Sequence, residues 1–501
     1  MRRGIQLAVI LAFAILVITT SYRGGREVNY PINIFISADP LIALITSITT
    51  WELSSFFFPA LIVFLVTLLV GRFFCGWLCP LGATLDFIRP LLKATRRKWT
   101  PSRNVKYFLL FMLFASALLS LNVAGFFDPM SIMIRSFSIV IYPIFSLASH
   151  ALFEFLFGID NAVVSRVTEV FYRFFSNTIL PFRQGFFSLG LITLAIFLGI
   201  IAAEKIRPRF WCRYLCPLGA LLSLTSGFSL LKRKPDKTCA RCASCRETCE
   251  MDAFDEKGRF QKRECILTLS CVTACEKEQV RYFLGLSSRQ TAPSLSRRYV
   301  IASLLSGFAI PAALAIAPRR KIEGSPGIPR LIRPPGAKDE RDFLKRCVRC
   351  GECMSACPTG GLEPDIGTGG IESIYTPVLV PRIGYCEYHC TLCGQVCPTD
   401  AIRRLTIHEK HKTIIGRAYI DTSRCLPHAF DVNCAVCEEH CPTFDKAIIF
   451  KESNNELSTN GEPLKKPYVI NNLCVGCGIC EAKCPVIGDS AITVIAGKMS
   501  F

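Results

Sequence analysis

The chain has 501 residues, 51% of them hydrophobic, and a mean hydropathy of +0.37. A wholly soluble protein rarely has this composition, so part of the chain is expected in a membrane. Its formal net charge is +19. The basic residues are concentrated in loops beside apolar stretches and no nucleic-acid-binding motif occurs, so we expect no nucleic-acid partner.

Five uncharged stretches are each long enough to cross a bilayer as a helix of about 20 residues. They are residues 4–22, 53–71, 107–127, 184–203 and 299–318. The first is predicted to be an uncleaved anchor, because Thr20-Ser21-Tyr22-Arg23 lacks the small residues of a cleavage site. A cleaved signal peptide is the alternative.

A sixth apolar stretch, residues 136–153, contains Pro143 and His150 and precedes an amphipathic segment of mixed charge. We interpret it as re-entrant or interfacial. The loops after the second and fourth spans are rich in Lys and Arg, which indicates that they are cytoplasmic. Five crossings would then place the chain after residue 318 outside. The expected location is the bacterial inner membrane, multi-pass, with a periplasmic C-terminal domain.

An internal repeat follows the second and fourth spans. Residues 74–83 read FCGWLCPLGA and residues 211–220 read WCRYLCPLGA. In each Cys-x3-Cys-Pro unit the two cysteines share one helix face, and the proline stops or kinks the helix. We predict a redox or metal site at the cytoplasmic edge of the membrane, formed by Cys75, Cys79, Cys212 and Cys216. Buried cysteines that only pack helices are the alternative.

A cysteine-rich insert lies between the fourth and fifth spans and is predicted to be a cytoplasmic two-cluster ferredoxin module. Its cysteines are Cys239, Cys242, Cys245, Cys249, Cys265, Cys271 and Cys275. Thr268 stands where the second group would have another cysteine. With crossed ligation, one complete [4Fe-4S] site uses Cys239, Cys242, Cys245 and Cys275. The other, with Cys249, Cys265 and Cys271, would hold a [3Fe-4S] cluster, an incomplete [4Fe-4S] cluster with an oxygen ligand, or nothing.

Paired arginines, Arg297 and Arg298, directly precede the fifth span. They are similar to a twin-arginine export signal, which would carry a domain across the membrane already folded around its clusters. The alternative is that they only obey the positive-inside rule. Residues 313–317 also offer small-x-small motifs at which cleavage would release the domain.

The last sixteen cysteines form four groups that each end in Cys-Pro. They are Cys347, Cys350, Cys353 and Cys357; Cys386, Cys390, Cys393 and Cys397; Cys425, Cys434, Cys437 and Cys441; and Cys474, Cys477, Cys480 and Cys484. The first and last match the bacterial ferredoxin spacing C-x2-C-x2-C-x3-C-P. We therefore predict four [4Fe-4S] clusters. Zinc sites and a disulfide framework fit regular triplets with a trailing Cys-Pro less well.

Ionisable residues at the membrane boundary are candidates for a quinol site by default. They are Asp128, Arg135, His150, Glu154 and Glu204. Interfacial residues that contact lipid headgroups are the alternative for each.

Taken together, these motifs resemble a known pair of families. Residues 1–285, with the Cys-x3-Cys-Pro units, the ferredoxin insert and Asp128-Pro129, resemble NapH, the membrane part of a periplasmic nitrate reductase quinol dehydrogenase. Residues 290–501 resemble NapG, its exported four-cluster partner, so that the chain is similar to a fusion of the two. Thr268 and the missing prolines after Cys249 and Cys275 depart from the pattern.

The resemblance implies an α-helical membrane domain of about five transmembrane helices plus α+β ferredoxin-like modules. The implied boundaries are 1–235 for the membrane domain, 236–285 for the cytoplasmic module, 290–320 for the signal or fifth helix, 321–337 for a linker and 338–501 for the periplasmic domain. In related four-cluster proteins the outer groups pair with each other, as do the inner ones. That pairing would join Cys347, Cys350 and Cys353 to Cys484, and Cys474, Cys477 and Cys480 to Cys357; Cys386, Cys390 and Cys393 to Cys441, and Cys425, Cys434 and Cys437 to Cys397.

The implied function is quinol oxidation, with the membrane quinone pool as donor and a periplasmic reductase or cytochrome c-type protein as acceptor. The expected partners also include a membrane complex. Two alternatives stay open. One is a maturation or regulatory electron donor similar to NosR or FixG-type proteins. The other is an outward relay from cytoplasmic ferredoxin.

Overall fold

The structure is a computed structural model of the chain. It describes residues 1–28, 30–52, 54–92, 102–181, 185–235, 244–254, 259–275, 279–285, 296–316 and 331–496. Cys239 and Cys242, the basic loop 93–101, most of the expected linker and the end of the cleavage motifs lie outside these ranges.

The chain divides into two compact units, neither of which is continuous in sequence. The first unit comprises residues 1–17, 32–136 and 192–317, and the second comprises residues 18–31, 137–191 and 318–501. Residues 137–191 thus group with the four cysteine groups of the C-terminal part, although the sequence places them among apolar stretches.

The first unit is mainly helical. The helix Arg297–Ile316 packs along Asn104–Leu118. The approach is close because Gly307 has no side chain, and a Cβ there would lie 2.5 Å from the Ala115 Cβ. The other helices of the unit are Arg2–Thr20, Ile34–Ser37, Pro40–Thr50, Ser55–Phe57, Phe58–Val70, Phe73–Trp77, Pro80–Leu92, Ala124–Phe126, Pro129–Ser136, Gly190–Ala203, Trp211–Leu215, Pro217–Ser226, Ser244–Glu247, Lys262–Glu264 and Ser270–Thr273. One antiparallel pair of strands, Leu231–Pro235 and Val280–Leu284, flanks the ferredoxin-type insert.

The second unit begins with three helical segments, Phe137–Ile141, Tyr142–Phe157 and Ala162–Thr178. Its remainder consists of short helices and two-stranded antiparallel sheets. The strand pairs are Leu362–Pro364 with Pro377–Leu379, Gly416–Ile420 with Ile492–Ala496, and Ile448–Leu457 with Pro463–Val469. The short helices are Glu340–Arg346, Glu352–Ser355, Ile371–Ser373, Leu392–Val396, Ile407–Lys412, Leu426–Ala429, Val436–Glu439 and Ile479–Lys483.

Two helices in the described ranges are long and apolar enough to cross a membrane, Arg2–Thr20 and the continuous run Pro129–Phe157. In the second one, residues 136–153 continue as a helix, and the interpretation of this stretch as re-entrant or interfacial stays a prediction. Pro143 does not break the helical run, since it lies in the first turn of Tyr142–Phe157, and a π-helical turn precedes that helix. The helices at three other expected spans have 13, 15 and 14 residues. Five crossings therefore stay a prediction.

Candidate metal centres

Four small cavities in the second unit are each lined by four cysteines, all of them free thiols. The cavity volumes are about 20 to 30 Å³. In every cavity, three thiols come from one group and the fourth is the Cys-Pro cysteine of another group. A [4Fe-4S] cluster takes four thiolates, so the donor set fits one cluster at each site.

The first two groups exchange their last cysteines. Site 1 is lined by Cys347, Cys350, Cys353 and Cys397. Site 2 is lined by Cys357, Cys386, Cys390 and Cys393. The helices Glu352–Ser355 and Leu392–Val396, which carry one cysteine of each triplet, pack against each other.

The last two groups are arranged in the same way. Site 3 is lined by Cys425, Cys434, Cys437 and Cys484. Site 4 is lined by Cys441, Cys474, Cys477 and Cys480. The expected pairing of outer with outer and inner with inner groups is therefore wrong. Neighbouring groups fold together because each trailing cysteine leaves its own short helix toward the group next to it in the chain.

Backbone geometry prepares these sites for thiolates. Gly351 and Gly478 adopt left-handed conformations, at φ 85° and 81°, directly before the short helices of sites 1 and 4. The backbone N–H of Ile402 lies 3.4 Å from the Cys397 Sγ, and that of Ala418 lies 3.4 Å from the Cys474 Sγ. Such N–H groups stabilise sulfur ligands that carry negative charge.

The first unit brings together the four thiols of the two Cys-x3-Cys-Pro units. The Cys79 thiol interacts electrostatically with those of Cys75 and Cys212. The Cys216 thiol interacts with the other three. All four side chains are buried. The structure thus groups the four thiols of the repeat, and their redox or metal role stays a prediction.

Two arginines, which the sequence analysis did not single out, cross between the repeats. They are Arg72 and Arg209. Each stands three residues before the first cysteine of its own repeat, and each is fully buried. The guanidinium of Arg209 lies 2.8 Å from the position of a Cβ on Gly82, and that of Arg72 lies 2.9 Å from the same position on Gly219. Only glycine at these positions leaves room for the opposite guanidinium. The shared pattern Arg-x2-Cys-x3-Cys-Pro-x-Gly could have revealed both arginines.

The two arginines differ in their partners. Arg209 donates to both carboxylate oxygens of Asp86, at 3.0 and 2.6 Å, and to the Cys75 carbonyl at 2.8 Å. Arg72 lies 3.6 Å from the Glu264 carboxylate, while its Nε and Nη2 have no hydrogen-bond acceptor within the described part of the chain. A buried cation with unused donors beside four thiols favours an anionic occupant.

Arg72 belongs to a buried network of charges that also contains Lys106 and Glu264. Lys106 donates to both oxygens of Glu264, at 2.8 and 2.6 Å. Burial raises the pKa of Glu264, but Lys106 and Arg72 outweigh it and lower that pKa to about 2. The carboxylate is therefore ionised over the physiological range.

In the ferredoxin-type insert, the described cysteines of the two groups lie near one another, and the crossed ligation stays a prediction. The Cys245 thiol interacts electrostatically with those of Cys271 and Cys275. The Cys265 thiol does so with those of Cys249 and Cys271. The expected role of Cys239 and Cys242 falls outside the described residues.

A tyrosine side chain, Tyr282, lies at the site with the missing cysteine. The Tyr282 hydroxyl lies 3.6 Å from the Cys271 Sγ. Thr268 accepts a hydrogen bond from Ser270 at 3.2 Å. Burial and the Cys265 and Cys271 thiols raise the pKa of Tyr282, so the phenol stays protonated and can donate to sulfur.

The repeats contact this insert directly. A Cβ on Gly76 would lie 2.1 Å from the Ile266 carbonyl oxygen. The Trp77 indole donates to the Leu267 carbonyl at 2.9 Å. In the second repeat, Arg213 occupies the position of Gly76 and donates to the Glu250 carbonyl at 2.6 Å. Both repeats therefore abut the residues next to Cys265 and Cys249, in the site that lacks a thiol.

The quinol-site candidates belong to different units of the structure. Asp128 and Arg135 are buried in the first unit, whereas His150 and the exposed Glu154 belong to the second. Glu204 is buried and accepts the backbone N–H groups of residues 209 and 210, which assigns it a structural role. Its burial raises its pKa to about 7.

Asp128 pairs with Asp39, a residue that the sequence analysis missed. Each caps a helix with one carboxylate oxygen: Asp39 accepts from the Leu41 N–H at 2.8 Å, and Asp128 from the Ser131 N–H at 2.8 Å. Both are fully buried, and burial together with their proximity raises the pKa of Asp39 well above its usual range. Burial also raises the pKa of Asp128. The dipeptide Asp-Pro occurs at both positions, Asp39-Pro40 and Asp128-Pro129, and is the signal that could have found the pair.

Three models of known families match parts of the chain. A 4Fe-4S binding domain matches residues 54–99 and 189–238, which contain the two Cys-x3-Cys-Pro units. A 4Fe-4S dicluster domain matches residues 346–401, which contain sites 1 and 2. NosR matches residues 237–291, which contain the insert. The dicluster match agrees with the pairing of neighbouring groups. No solved structure matches the chain.

Curated relatives match part of the chain. The methylamine utilization ferredoxin-type protein MauM of Paracoccus denitrificans is 33% identical over 42% of this chain and 87% of its own length. MauM of Methylorubrum extorquens is 35% identical over 34% of this chain and 76% of its own length. The ferredoxin-type protein NapG of Escherichia coli is 32% identical over 42% of this chain and 89% of its own length. With cysteine sites and relatives in agreement, the chain belongs to the family of NapG- and MauM-type iron-sulfur electron-transfer ferredoxins, joined to 4Fe-4S binding and NosR-related segments.

Proposed function

We propose that this protein is a multi-pass quinol dehydrogenase of the bacterial inner membrane. It takes electrons from menaquinol or ubiquinol and delivers them to a periplasmic reductase or a cytochrome c-type protein. The thiol set of the first unit, the insert beside it and the four sites of the second unit supply the relay. The NapG and MauM relatives, which are ferredoxin-type proteins, support the electron-transfer part of this assignment.

The four cysteine-lined sites and the spacing of the cysteines in the insert support the proposed cofactor complement. Sites 1 to 4 each take one [4Fe-4S] cluster, and so does the complete site of the insert. The site with Thr268 takes a [3Fe-4S] or an incomplete [4Fe-4S] cluster. Bound clusters supply one-electron redox chemistry, and the protein supplies thiolates, N–H donors and buried cations around them. Iron analysis is expected to give about twenty irons or more per chain, whereas stoichiometric zinc would contradict the assignment.

The buried carboxyl pair, Asp39 and Asp128, is the observation that carries the quinol assignment. The Oδ2 of Asp39 and the Oδ1 of Asp128 have no donor within the described residues. Two buried carboxyl groups this close retain a shared proton, because both cannot ionise together. Quinol oxidation releases two protons with two electrons, so it needs a buried proton acceptor. A ferredoxin that only relays electrons does not.

The test measures reduction of the purified chain by menaquinol, followed by bleaching of cluster absorbance. Asp39→Asn and Asp128→Asn are each expected to slow this reduction by at least about tenfold, since loss of a general base typically costs 10²–10⁴-fold. Reduction by dithionite should be unchanged. Asp160→Asn, at an exposed loop position, is the matched control. Unchanged menaquinol rates in both variants would contradict the proposal.

A second candidate is a NosR-like maturation or regulatory electron donor. The NosR match to residues 237–291 favours it. It predicts that quinol does not bleach the clusters but that a reduced cytoplasmic ferredoxin does. The same absorbance experiment with both donors therefore separates the two functions.

A further inference from the structure

We propose that electrons leave the second unit from site 3, and that the surface around site 3 docks a redox protein that presents a basic face around its cofactor. This inference rests on the proposed function only for the supply of electrons. Because its test uses no quinol, the docking surface and the quinol dehydrogenase assignment can fail independently.

The contacts between ligand loops order the sites as 1, 2, 4 and 3. The Cys353 thiol of site 1 interacts electrostatically with that of Cys393 in site 2. The N–H of Cys386 in site 2 donates to the carbonyl of Cys477 in site 4 at 2.8 Å. The Cys480 thiol of site 4 interacts with that of Cys437 in site 3. Sites 1 and 3 are therefore the two ends of the series.

The end formed by sites 1 and 2 adjoins chain segments that flank apolar helices. Gln395, between two site cysteines, accepts from the Val28 N–H and donates to the Arg26 carbonyl, both at 3.1 Å. The Ser188 N–H donates to the Glu363 carboxylate at 3.1 Å. The segment Phe137–Ile141 packs against Glu352–Ser355 of site 1. We therefore expect electrons that come from the membrane to enter the second unit at this end.

The opposite end presents apolar side chains to solvent. Val486 and Pro427 line site 3. The next residue after Val486, Ile487, is 95% exposed, and Phe430, three residues after Pro427, is 58% exposed. Exposed apolar groups beside a buried redox site are typical of a protein-binding surface.

Acidic residues accompany these apolar groups. Residues 421–445 contain five acidic residues and one basic residue, Arg424, within a chain of net charge +19. Asp421, Asp431 and Glu439 among them are exposed. We call Phe430, Ile487 and these three acids the exit face. Its charge complements a basic partner, and such complementarity accelerates association and fixes orientation.

The chemical step at this face is a single electron transfer. A reduced site 3 loses one electron and the one-electron acceptor of the partner gains it. No bond is made or broken and no proton is required. The partner must therefore be a one-electron carrier, such as a c-type haem protein.

The experiment uses the full chain in detergent and a basic mitochondrial cytochrome c as the probe. Binding is measured calorimetrically with both proteins oxidised, so that the readout does not depend on turnover. The double variant Asp431→Lys/Glu439→Lys is expected to weaken the Kd at least tenfold, and binding by the unaltered chain should weaken as salt is raised.

A matched control changes the same charge at the other end of the series. Asp342 and Asp400 flank site 1, and their side chains are 55% and 54% exposed. Asp342→Lys/Asp400→Lys should leave the Kd within about twofold. Should this control weaken binding as much as the exit-face variant, or should the unaltered chain not bind, the proposal is wrong.

Electron transfer provides an independent measurement. The chain is reduced with dithionite and mixed with oxidised cytochrome c, and with ferricyanide as a small one-electron acceptor. Phe430→Ser is expected to slow cytochrome c reduction several-fold and to leave ferricyanide reduction unchanged. Equal slowing with both acceptors would overturn the docking role, and iron content establishes whether the variant has kept its clusters.

Discussion

The two units surround their thiols in different ways. In the first unit, the two repeats place fully buried guanidinium groups beside four buried thiols. In the second unit, backbone N–H groups of short turns face the sulfur atoms, as at Cys397 and Cys474. Backbone N–H groups also face sulfur in the first unit, at Cys79 and Cys216. What distinguishes the first unit is therefore the exchange of guanidinium groups between its two repeats, each of which fills the space left by a glycine of the other.

The largest expected effect tests the exchange of cysteines between neighbouring groups. Cys397→Ala should remove the cluster of site 1, with loss of about four irons, and should destabilise sites 1 and 2 together, because ligation supplies much of the folding free energy of such a domain. Cys484→Ala should instead remove the cluster of site 3.

Iron analysis and electron paramagnetic resonance of the two variants check this expectation. The pairing of outer groups predicts that Cys484→Ala would remove the cluster bound by Cys347, Cys350 and Cys353. Loss of that signal would contradict the structure.

The next effect concerns the ion pairs of the first unit. Glu264→Gln leaves Lys106 and Arg72 buried without their carboxylate, which should lower the free energy of unfolding by about 3–5 kcal/mol. Thermal unfolding measures the change. Glu169→Gln, which breaks the exposed pair with Arg173, should cost less than about 1 kcal/mol. Similar losses in both variants would remove the distinction between buried and exposed pairs.

The same carboxylate gives a pH dependence with a definite sign. Its pKa is lowered from 4.5 to about 2 in the folded protein. The stabilisation is therefore complete above about pH 4.5 and is lost as the pH falls toward 2, by about 3 kcal/mol in total. Denaturant unfolding between pH 6 and 3 should show this loss in the unaltered chain. A Glu264→Gln chain with the same slope would contradict the assignment.

A smaller effect tests the role of Arg72 at the thiol set. Removing a unit positive charge from beside the thiol set changes the electrostatic energy there by a few kcal/mol, at an effective dielectric constant of about 20. Arg72→Gln should therefore lower the reduction potential of a cluster bound there by roughly 100 mV. Potentiometric titration measures the shift. Arg72→Lys keeps the charge and should restore most of the potential, whereas equal shifts in both variants would argue for a packing role.

The smallest effect concerns the contact between repeat and insert. Gly76→Ala forces a backbone shift against the Ile266 carbonyl, which should cost about 1–3 kcal/mol of stability. Thermal unfolding of the first unit measures it. Gly199→Ala, in a helix with no atom within 4 Å of the added methyl group, should be neutral or stabilising. No destabilisation by Gly76→Ala would show that the two elements can separate.

The sequence predicted the ligands better than their partners. Spacing alone identified the sixteen C-terminal cysteines and the repeat, because three thiols around one cluster must be close in the chain. Spacing did not reveal that Cys397 lines site 1, because the spacing within a group does not determine which neighbouring group its last cysteine contacts. Arg72 and Asp39 were missed for the same reason: their contacts lie across the fold, although the pattern Arg-x2-Cys-x3-Cys-Pro and the dipeptide Asp-Pro each occur twice.

The pairing of neighbouring groups has a consequence for synthesis. Sites 1 and 2 have all eight of their cysteines by residue 397 of a 501-residue chain. The first half of the four-site domain can thus receive its metal while the ribosome is still translating the second half. Cluster loading can then proceed in two successive rounds, each completing one pair, and an interrupted second round leaves the first pair intact.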